Sequence, residues 1–393
     1  MREANTGLDV GAVDLEIARL GAQGDGVSEA GPGGPVFVPY VLAGERVVAV
    51  VEGERGRAIE VLRRSPDRVI PPCQYFTICG GCAMQHLADA PYREWKRGLV
   101  VEAFAQRGIV ADVRALHSVG EGARRRAMMS ALSSRRGISL GFHGARQSDL
   151  VEVAACAVLE PRIVAALPQL KLLLAVLPVW EGEARVSILA CDNGLDVGVE
   201  KAAAPKGLDA ETSTRLAEAA ARVPQLVRFS LDELPVYQNG QPIIAMGQAQ
   251  MTPPPGVFLQ AAGAAEKFMA SAILDALPKR AKRVADLFSG VGAFSFPLAS
   301  RVSVLAVDSD ARALAALDAA KRNAQGLKPI RTLQRDLFRE PLSRKELEGF
   351  DMVVFDPPRA GAMAQTQMLA KSKAPVVVAV SCNPATLARD ARI

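Results

Sequence analysis

The sequence predicts an α/β protein whose last third forms a doubly wound parallel sheet, preceded by a small β-barrel and a mixed α+β region. From about residue 266, nearly continuous apolar runs alternate with helical stretches, as expected for strands buried between two layers of helices. Residues 9–64 instead alternate apolar and polar positions in short runs with glycine-rich breaks, which is typical of an antiparallel barrel. The stretch between these regions mixes both patterns and contains no repeat.

The pattern of the last third also predicts the individual elements. They are helices at 266–277, 292–300 and 310–324, strands at 283–287, 302–307, 330–334 and 351–355, and a buried strand within 374–380. Three successive prolines before Gly256 break regular structure, so we place domain boundaries at 1–66, 67–258 and 259–393. A helix over 89–107 is expected to pack on the last domain. Ligands of such sheets bind at the carboxyl ends of the strands.

Composition narrows the class of protein. Hydrophobic residues make up 49% of the 393 residues and charged residues 23%, which is sufficient for packed cores and argues against long disordered stretches. We find neither a membrane-spanning run nor a secretory signal, and expect a cytoplasmic protein. In that compartment the six cysteines are not expected to form disulfides. The net charge of +5 permits a nucleic-acid partner without demonstrating one.

The first 66 residues contain a pattern of their own. Gly24-Asp-Gly-Val27 is followed by Val36-Phe-Val-Pro39 and Gly44-Glu-Arg-Val47. This order resembles a TRAM domain, which is an RNA-binding barrel of the OB type. Composition alone does not separate a TRAM domain from any other five-stranded barrel.

The cysteines after Pro71-Pro72 form a compact group. Cys73, Cys79 and Cys82 lie within ten residues, and Cys156, in a second segment, is a candidate fourth ligand. Zinc sites usually carry two Cys-x2-Cys pairs, and only one is present here. The uneven spacing favours an iron-sulfur cluster over zinc, and unligated cysteines remain a third option.

A run of arginines between Gly122 and Gly137 is a candidate RNA surface. Its members are Arg124, Arg125, Arg126, Arg135 and Arg136. Guanidinium groups make bidentate contacts with phosphate, although such a run is often only a solvated face.

The first strand of the last third leads into Asp286-Leu-Phe-Ser-Gly-Val-Gly292, where glycines permit a sharp turn close to a ligand. The third glycine of the dinucleotide fingerprint is missing, which argues against NAD. The next two strands lead to Asp308, at a spacing suited to ribose hydroxyls, and to Asp336, which is placed to accept from an adenine amino group. The pattern favours S-adenosylmethionine (SAM). The structural alternative for Asp308 or Asp310 is a helix N-cap.

The fourth strand ends in Asp356-Pro357-Pro358-Arg359. An aromatic residue after Asp-Pro-Pro would stack on a base that is methylated at nitrogen. Because Arg359 stands there, methylation of an exocyclic amine is disfavoured. A rigid turn explains the prolines but not the acid at the end of a buried strand.

The fifth strand leads into Ser381-Cys382-Asn383-Pro384, which places a cysteine at the mouth of the cofactor cleft. An isolated free cysteine is often only a buried apolar residue. Carbon 5 of uracil, however, is a poor nucleophile until a thiolate adds to carbon 6. A base must then remove the proton of carbon 5 before the thiol is expelled.

These motifs, together with Phe258-Leu259-Gln260, resemble those of RNA (uracil-5-)-methyltransferases over essentially the whole chain. The barrel and the cysteine group are similar to the 23S ribosomal RNA branch. The resemblance implies that Cys382 is the nucleophile and that Cys73, Cys79, Cys82 and Cys156 hold a 4Fe-4S cluster. It also implies a pocket for SAM and uracil. The residues expected to line this pocket, including one glycine of the loop, are Gln260, Phe288, Gly290, Asp308, Asp336 and Asp356. Ala262 and Ala293 depart from the family pattern, which has asparagine at both positions.

The C-terminus carries a further expectation. The family places two more strands and a proton-abstracting glutamate beyond the nucleophile, whereas Ile393 is the last residue here. We therefore expect a C-terminally truncated sheet and poor turnover. Separately, we expect a monomer. Two alternatives remain, a tRNA uracil methylase and an inactive RNA-binding protein. An RNA cytosine-5 methylase is disfavoured because the Pro-Cys motif of that family is absent.

Overall fold

The structure is a computed structural model that describes residues 12–31, 33–135, 137–200 and 208–393. The chain forms two compact units. The first contains residues 1–101, 112–117 and 142–153, and the second contains 102–111, 118–141 and 154–393. The predicted boundaries at 66 and 258 remain a prediction, and the first eleven residues of the predicted barrel lie outside the described ranges.

The first unit is built on a six-stranded sheet in the order β1-β5-β6-β4-β3-β2. Its strands are β1 (Ala12–Glu16), β2 (Arg19–Leu20), β3 (Gly26–Gly31), β4 (Gly34–Val38), β5 (Arg46–Glu52) and β6 (Arg55–Arg63). Alternate residues such as Val47 and Ala49 are fully buried, so one face forms the core, as the sequence pattern predicts. The predicted barrel was antiparallel, whereas this six-stranded sheet contains a parallel pairing of β4 with β6.

The middle of the chain supplies α1 (Asp89–Ala105), β7 (Arg126–Ser134), β8 (Gly137–His143), β9 (Leu150–Glu152), α2 (Pro161–Leu174), β10 (Glu183–Cys191), β11 (Gly194–Glu200), α3 (Ala210–Ala221), β12 (Leu226–Leu231), β13 (Leu234–Gln238), β14 (Ile244–Met246) and β15 (Ala249–Met251). In the second unit the sheet runs in the order β13-β12-β11-β10-β7-β8. Among the described strands of this sheet, only β11 and β12 pair in parallel, and α3 lies between them in the chain.

The last third of the chain forms a five-stranded sheet in the order β18-β17-β16-β19-β20. All of its strand pairs are parallel. Its elements are α4 (Gly263–Asp275), β16 (Arg283–Leu287), α5 (Ser295–Ala299), β17 (Ser303–Asp308), α6 (Ala311–Asn323), β18 (Ile330–Gln334), α7 (Arg344–Leu347), β19 (Met352–Phe355), α8 (Met363–Ala370), β20 (Val377–Ala379) and α9 (Pro384–Ala391).

Both faces of this sheet are covered. Val284 and Val354 pack with residues of α4, α5 and α6 on one face, whereas Ala285 and Val353 pack with residues of α7 and α8 on the other. The predicted doubly wound α/β fold is therefore confirmed. In the described chain, none of the helices combines the length and the apolar character that a membrane span requires.

Candidate active site at the carboxyl edge of the parallel sheet

The topology brings the predicted site residues to one edge of the sheet. Strands β16, β17, β18, β19 and β20 are parallel, so the residues that follow them share the carboxyl edge. These are the glycine loop after β16, Asp308 at the end of β17, Asp336 after β18, Asp356 after β19 and Cys382 after β20. Chain order reverses between β16 and β19, and ligands of open α/β sheets bind at such a switch point.

The glycine loop has the backbone geometry of a ligand-binding turn. Phe288, Gly290 and Gly292 have φ values of 59°, 52° and 97°. A Cβ atom at Gly292 would lie 2.9 Å from the Leu317 side chain, so packing requires that glycine. A Cβ atom at Gly290 would have no neighbour within 4 Å, so the backbone faces open space there. This open space lies beside Asp308 at the end of the next strand, and backbone of this kind can approach a ligand closely.

Asp308 and Asp310 have different roles in this turn. Asp308 accepts a hydrogen bond from the Gly290 N–H at 2.7 Å, which ties the loop to β17. Asp310 is the N-cap of α6 and accepts from the N–H groups of Arg312 and Ala313. The capping alternative therefore applies to Asp310 and leaves Asp308 facing the loop.

Asp336 lies two residues before Phe338 and is bonded to its backbone. Its carboxylate accepts from the Phe338 N–H at 3.0 Å. The Phe338 ring, 49% exposed, packs on Phe288 with the ring centroids 5.4 Å apart. The site therefore offers a hydrogen-bond acceptor and exposed aromatic carbon close together in the chain.

Asp286 is a site residue that sequence reasoning missed. It is fully buried in β16, accepts from the Ser295 hydroxyl at 2.6 Å, and its Oδ1 has no hydrogen-bond partner among the residues that the structure describes. Burial raises the pKa of Asp286 to about 7, with further contributions from Asp356 and Asp308. An acid inside an otherwise apolar strand is the signal in the sequence that could have identified this position.

Asp356 is held by the side chain of Gln260. The Gln260 Nε2 donates to Asp356 Oδ2 at 2.8 Å across 96 residues of sequence. Burial raises the pKa of Asp356 to about 6, and the bond from Gln260 opposes that rise. The amide orientation is consistent, because only the NH2 group donates to a carboxylate.

Cys382 lies in a loop that is fixed on both sides. It is exposed, and the neighbouring Asn383 caps α9 by accepting from the Ala385 N–H at 3.1 Å. The Thr386 hydroxyl donates to the Arg359 carbonyl at 3.2 Å, which joins this loop to the turn after β19. Cys191 provides the contrast, because it is fully buried and burial raises its pKa to about 12. An accessible thiol on an anchored loop is suited to act as a nucleophile.

The cysteine group predicted to bind metal is not assembled. Cys73, Cys79, Cys82 and Cys156 are all partly exposed, and no disulfide links any of the six cysteines. Across the described ranges, no three histidine, cysteine or acidic side chains are arranged to hold a metal ion. Thiolates are suitable ligands for iron, but the described side chains are not gathered into a binding site, and we assign no chemical step to a cluster.

The arginine run divides into surface and buried members. Arg124 and Arg135 are exposed, and Arg136 lies outside the described residues. Arg126 is half-buried, with its guanidinium carbon 4.4 Å from the centroid of the Phe258 ring. Arg125 is only 7% exposed, so its prediction as a surface residue was wrong. Arg124, Arg125 and Arg126 lead into strand β7, and in an extended chain successive side chains point to opposite sides. This explains why an exposed and a buried arginine are neighbours.

Known proteins resemble this chain over most of its length. A protein-family profile described as "Conserved hypothetical protein 95" matches residues 269–377. A protein of Mesorhizobium japonicum named "Uncharacterized RNA methyltransferase" is 42% identical over 96% of this chain and 90% of its own length. The 23S rRNA (uracil(1939)-C(5))-methyltransferase RlmD of Chromohalobacter salexigens is 31% identical over 98% of this chain and 83% of its own length.

Among solved structures, the tRNA (uracil-54, C5)-methyltransferase of Pyrococcus abyssi, in complex with S-adenosyl-L-homocysteine, superposes with a TM-score of 0.73. It is 22% identical and covers 96% of this chain and 92% of its own length, so the likeness establishes a common fold. The last third is a SAM-dependent methyltransferase fold. With these relatives and this sheet edge, the chain belongs to the RNA methyltransferase family.

Proposed function

We propose that the protein transfers a methyl group from SAM to carbon 5 of a uridine in RNA, with Cys382 as the covalent nucleophile. The observation that carries the proposal is an exposed thiol after β20, at the sheet edge that also presents the glycine loop, Asp308 and Asp356. The 31% identity to a 23S rRNA uracil-C5 methyltransferase over 98% of the chain favours 23S ribosomal RNA as the substrate.

The residues of the glycine loop and the next two strands are suited to hold SAM. Asp308 would accept from ribose hydroxyls while it keeps the Gly290 N–H in place. Asp336 would accept from the adenine amino group, and Phe288 would contact the adenine face. When bound, SAM supplies the methyl group.

Gln260 and Asp356 are suited to recognise the base. Since the Gln260 amide nitrogen donates to Asp356, its oxygen is the acceptor available to a ligand. Uracil presents a donor at N3, whereas cytosine presents an acceptor there, so this orientation selects uracil. A site built to accept from a base rejects an analogue that lacks the donor.

The thiolate of Cys382 would add to carbon 6 of the uracil, forming a C–S bond and an enolate. Carbon 5 would then accept the methyl group of SAM, which would leave as S-adenosyl-L-homocysteine. Loss of the proton of carbon 5 to a base would break the C–S bond and restore the thiolate. The target base must leave its stack to reach the thiol, so the substrate is a loop or an extruded nucleotide. We expect a monomer that acts in the cytoplasm.

A tRNA substrate is the second candidate, and side-by-side methylation of tRNA and 23S rRNA distinguishes the two.

We also retain the hypothesis of a 4Fe-4S cluster on Cys73, Cys79, Cys82 and Cys156. Iron and acid-labile sulfide in protein purified without oxygen would support it, and their absence from active protein would exclude it.

The proposed activity is tested with purified protein, SAM and 23S rRNA transcripts, followed by mass spectrometry of the nucleosides. We expect 5-methyluridine, its loss in Cys382→Ala, and its retention in Cys191→Ala, which removes a thiol buried in the core. Methylation at another atom, or full activity of Cys382→Ala, would refute the proposal.

A further inference from the structure

Arg125 is a charged side chain enclosed in the second unit. It is 7% exposed and pairs with Glu266, which is 6% exposed, through Nη2 and Oε2 at 2.7 Å. Burial raises the pKa of Glu266, and the charge of Arg125 opposes that effect. A buried ion pair contributes little net stability compared with apolar residues of the same size, so its presence calls for a further reason.

The other contacts of Arg125 lead to the substrate pocket. Its Nε donates to the Gln260 carbonyl at 3.1 Å, and its main-chain N–H donates to the Ala261 carbonyl at 2.8 Å. Glu266 lies in the first turn of α4, directly after this segment. A Cβ atom at Gly263 would lie 3.3 Å from Arg125 Nη1, so the guanidinium occupies the space beside that glycine.

We propose that Arg125 is a positioning residue that fixes the backbone of Gln260 so that the Gln260 amide reaches Asp356. The proposal rests on the proposed function, because the role of Gln260 in recognising uracil belongs to it. The path is continuous: Glu266 orients the guanidinium, the guanidinium holds the Gln260 carbonyl, and the Gln260 amide donates to Asp356 at 2.8 Å.

The shape of the guanidinium explains why arginine serves here. Its planar fork of donors contacts a carboxylate and a carbonyl in fixed directions at the same time. A lysine would keep the charge opposite Glu266 but would present a single flexible ammonium group. Arg125→Lys therefore separates charge neutralisation from orientation of the backbone.

The chain offers a matched control in a second buried ion pair. Arg228 donates to Asp196 at 2.8 and 2.6 Å, and their side chains are 7% and 8% exposed. Arg228 also donates to a backbone carbonyl, that of Pro253, and in the described part of the chain it forms no hydrogen bond with Gln260 or Asp356. Replacing either pair with apolar residues leaves no unpaired buried charge, so both variants are expected to fold.

The test is a double-mutant cycle on methylation. Arg125→Met with Glu266→Met should lower kcat about 10- to 100-fold, the effect expected for a displaced contact group. In a Gln260→Ala background the same pair should cause no further loss, because Arg125 acts through Gln260. Arg228→Met with Asp196→Leu should leave kcat within about twofold, and Arg125→Lys should fall between wild type and the double variant.

A second measurement does not depend on activity. Titration of Asp356 followed by carbon-13 NMR should show its pKa rising in Gln260→Ala and equally in the Arg125/Glu266 variant, because both lose the bond that opposes the effect of burial. The proposal would be overturned if the Arg125/Glu266 variant lowered kcat equally in wild type and in Gln260→Ala. An unchanged pKa of Asp356 in the Arg125/Glu266 variant would also overturn it. If the wild-type protein makes no 5-methyluridine, the proposed function fails, and the titration still decides whether Arg125 positions Gln260.

Discussion

Three carboxylates at the catalytic edge differ in their surroundings. Asp308 accepts two backbone N–H groups, Asp356 accepts one side-chain amide, and Asp286 accepts one hydroxyl inside the strand. Burial raises the pKa of Asp286 to about 7 and that of Asp356 to about 6. The charge at this edge therefore changes within the neutral and mildly acidic range. SAM carries a positive sulfonium group that its demethylated product lacks. The affinities of the two ligands should therefore depend differently on pH.

We expect the affinity for SAM to fall as the pH drops through about 7 and then about 6, because protonation neutralises Asp286 and Asp356. The loss approaches about tenfold per pH unit for each proton that binding must displace. Isothermal titration calorimetry between pH 5 and 8 measures it, with S-adenosyl-L-homocysteine as the matched neutral-sulfur ligand.

In the same experiment, Asp286→Asn should abolish the change in SAM affinity near pH 7. Asparagine has the shape of aspartate and can still accept the hydrogen bond from Ser295. Equal pH dependence for the two ligands would show that the sulfonium group does not sense these carboxylates.

Single residues show where sequence reasoning succeeds and where it fails. Asp308 and Asp356 were predicted because the ends of parallel strands can be identified from local patterns. The partner of Asp356, Gln260, was predicted only from resemblance, since 96 residues separate the two. The burial of Arg125 depends on Glu266, 141 residues away, and no local pattern predicts it. Tertiary pairing therefore decided which arginine of the run is exposed.

Elements of the parallel sheet were predicted closely. Strand β16 coincides with its predicted range 283–287, and α6 differs from its range by one residue at each end. Apolar periodicity over strands and helices carries this information locally. Strand β20 is the exception, since the run 374–380 was predicted as buried, whereas Val377 is 45% exposed. Its position at the edge of the described sheet, paired with β19 alone, explains the exposure.

Two acids near the start of α6 are proposed to have different roles, Asp310 as the helix N-cap and Asp308 as a ligand of SAM. Asp310→Ala should destabilise the protein by about 1 kcal/mol through loss of the N-cap, and leave the affinity for SAM unchanged. Asp308→Ala should weaken SAM binding about 10- to 100-fold, because it removes a charged acceptor and frees the Gly290 N–H. Urea denaturation and calorimetry measure the two effects. A loss of SAM affinity in Asp310→Ala alone would reverse the assignment.

At the scale of the whole molecule, the first unit depends on a buried acid. Glu45 is fully buried and accepts from Arg68 at 2.6 and 2.7 Å and from the Leu42 N–H at 2.8 Å. Burial acts to raise the pKa of Glu45, but the bonds from Arg68 and the backbone outweigh it, so the pKa lies below 4.5. The sequence could not predict this link, because Arg68 lies beyond the predicted barrel.

A depressed pKa means that Glu45 contributes stability above pH 4.5, and that the contribution is lost as the pH falls through its folded value. Glu45→Gln should lower the free energy of unfolding by about 3 kcal/mol at pH 7, and by less below pH 4. Glu16→Gln is the control, because its pair with Arg63 is exposed and should contribute under about 1 kcal/mol. Urea denaturation at both pH values measures this. Equal effects of the two substitutions would contradict the role of the buried pair.

The most direct test of the central claim uses RNA that contains 5-fluorouracil. Once carbon 5 is methylated, fluorine cannot leave as a proton does, so the C–S bond cannot break and a covalent complex accumulates. We predict an adduct that is stable on a denaturing gel, requires SAM, and maps by peptide mass spectrometry to Cys382. RNA that binds without forming an adduct, or an adduct on any other residue, would contradict the account.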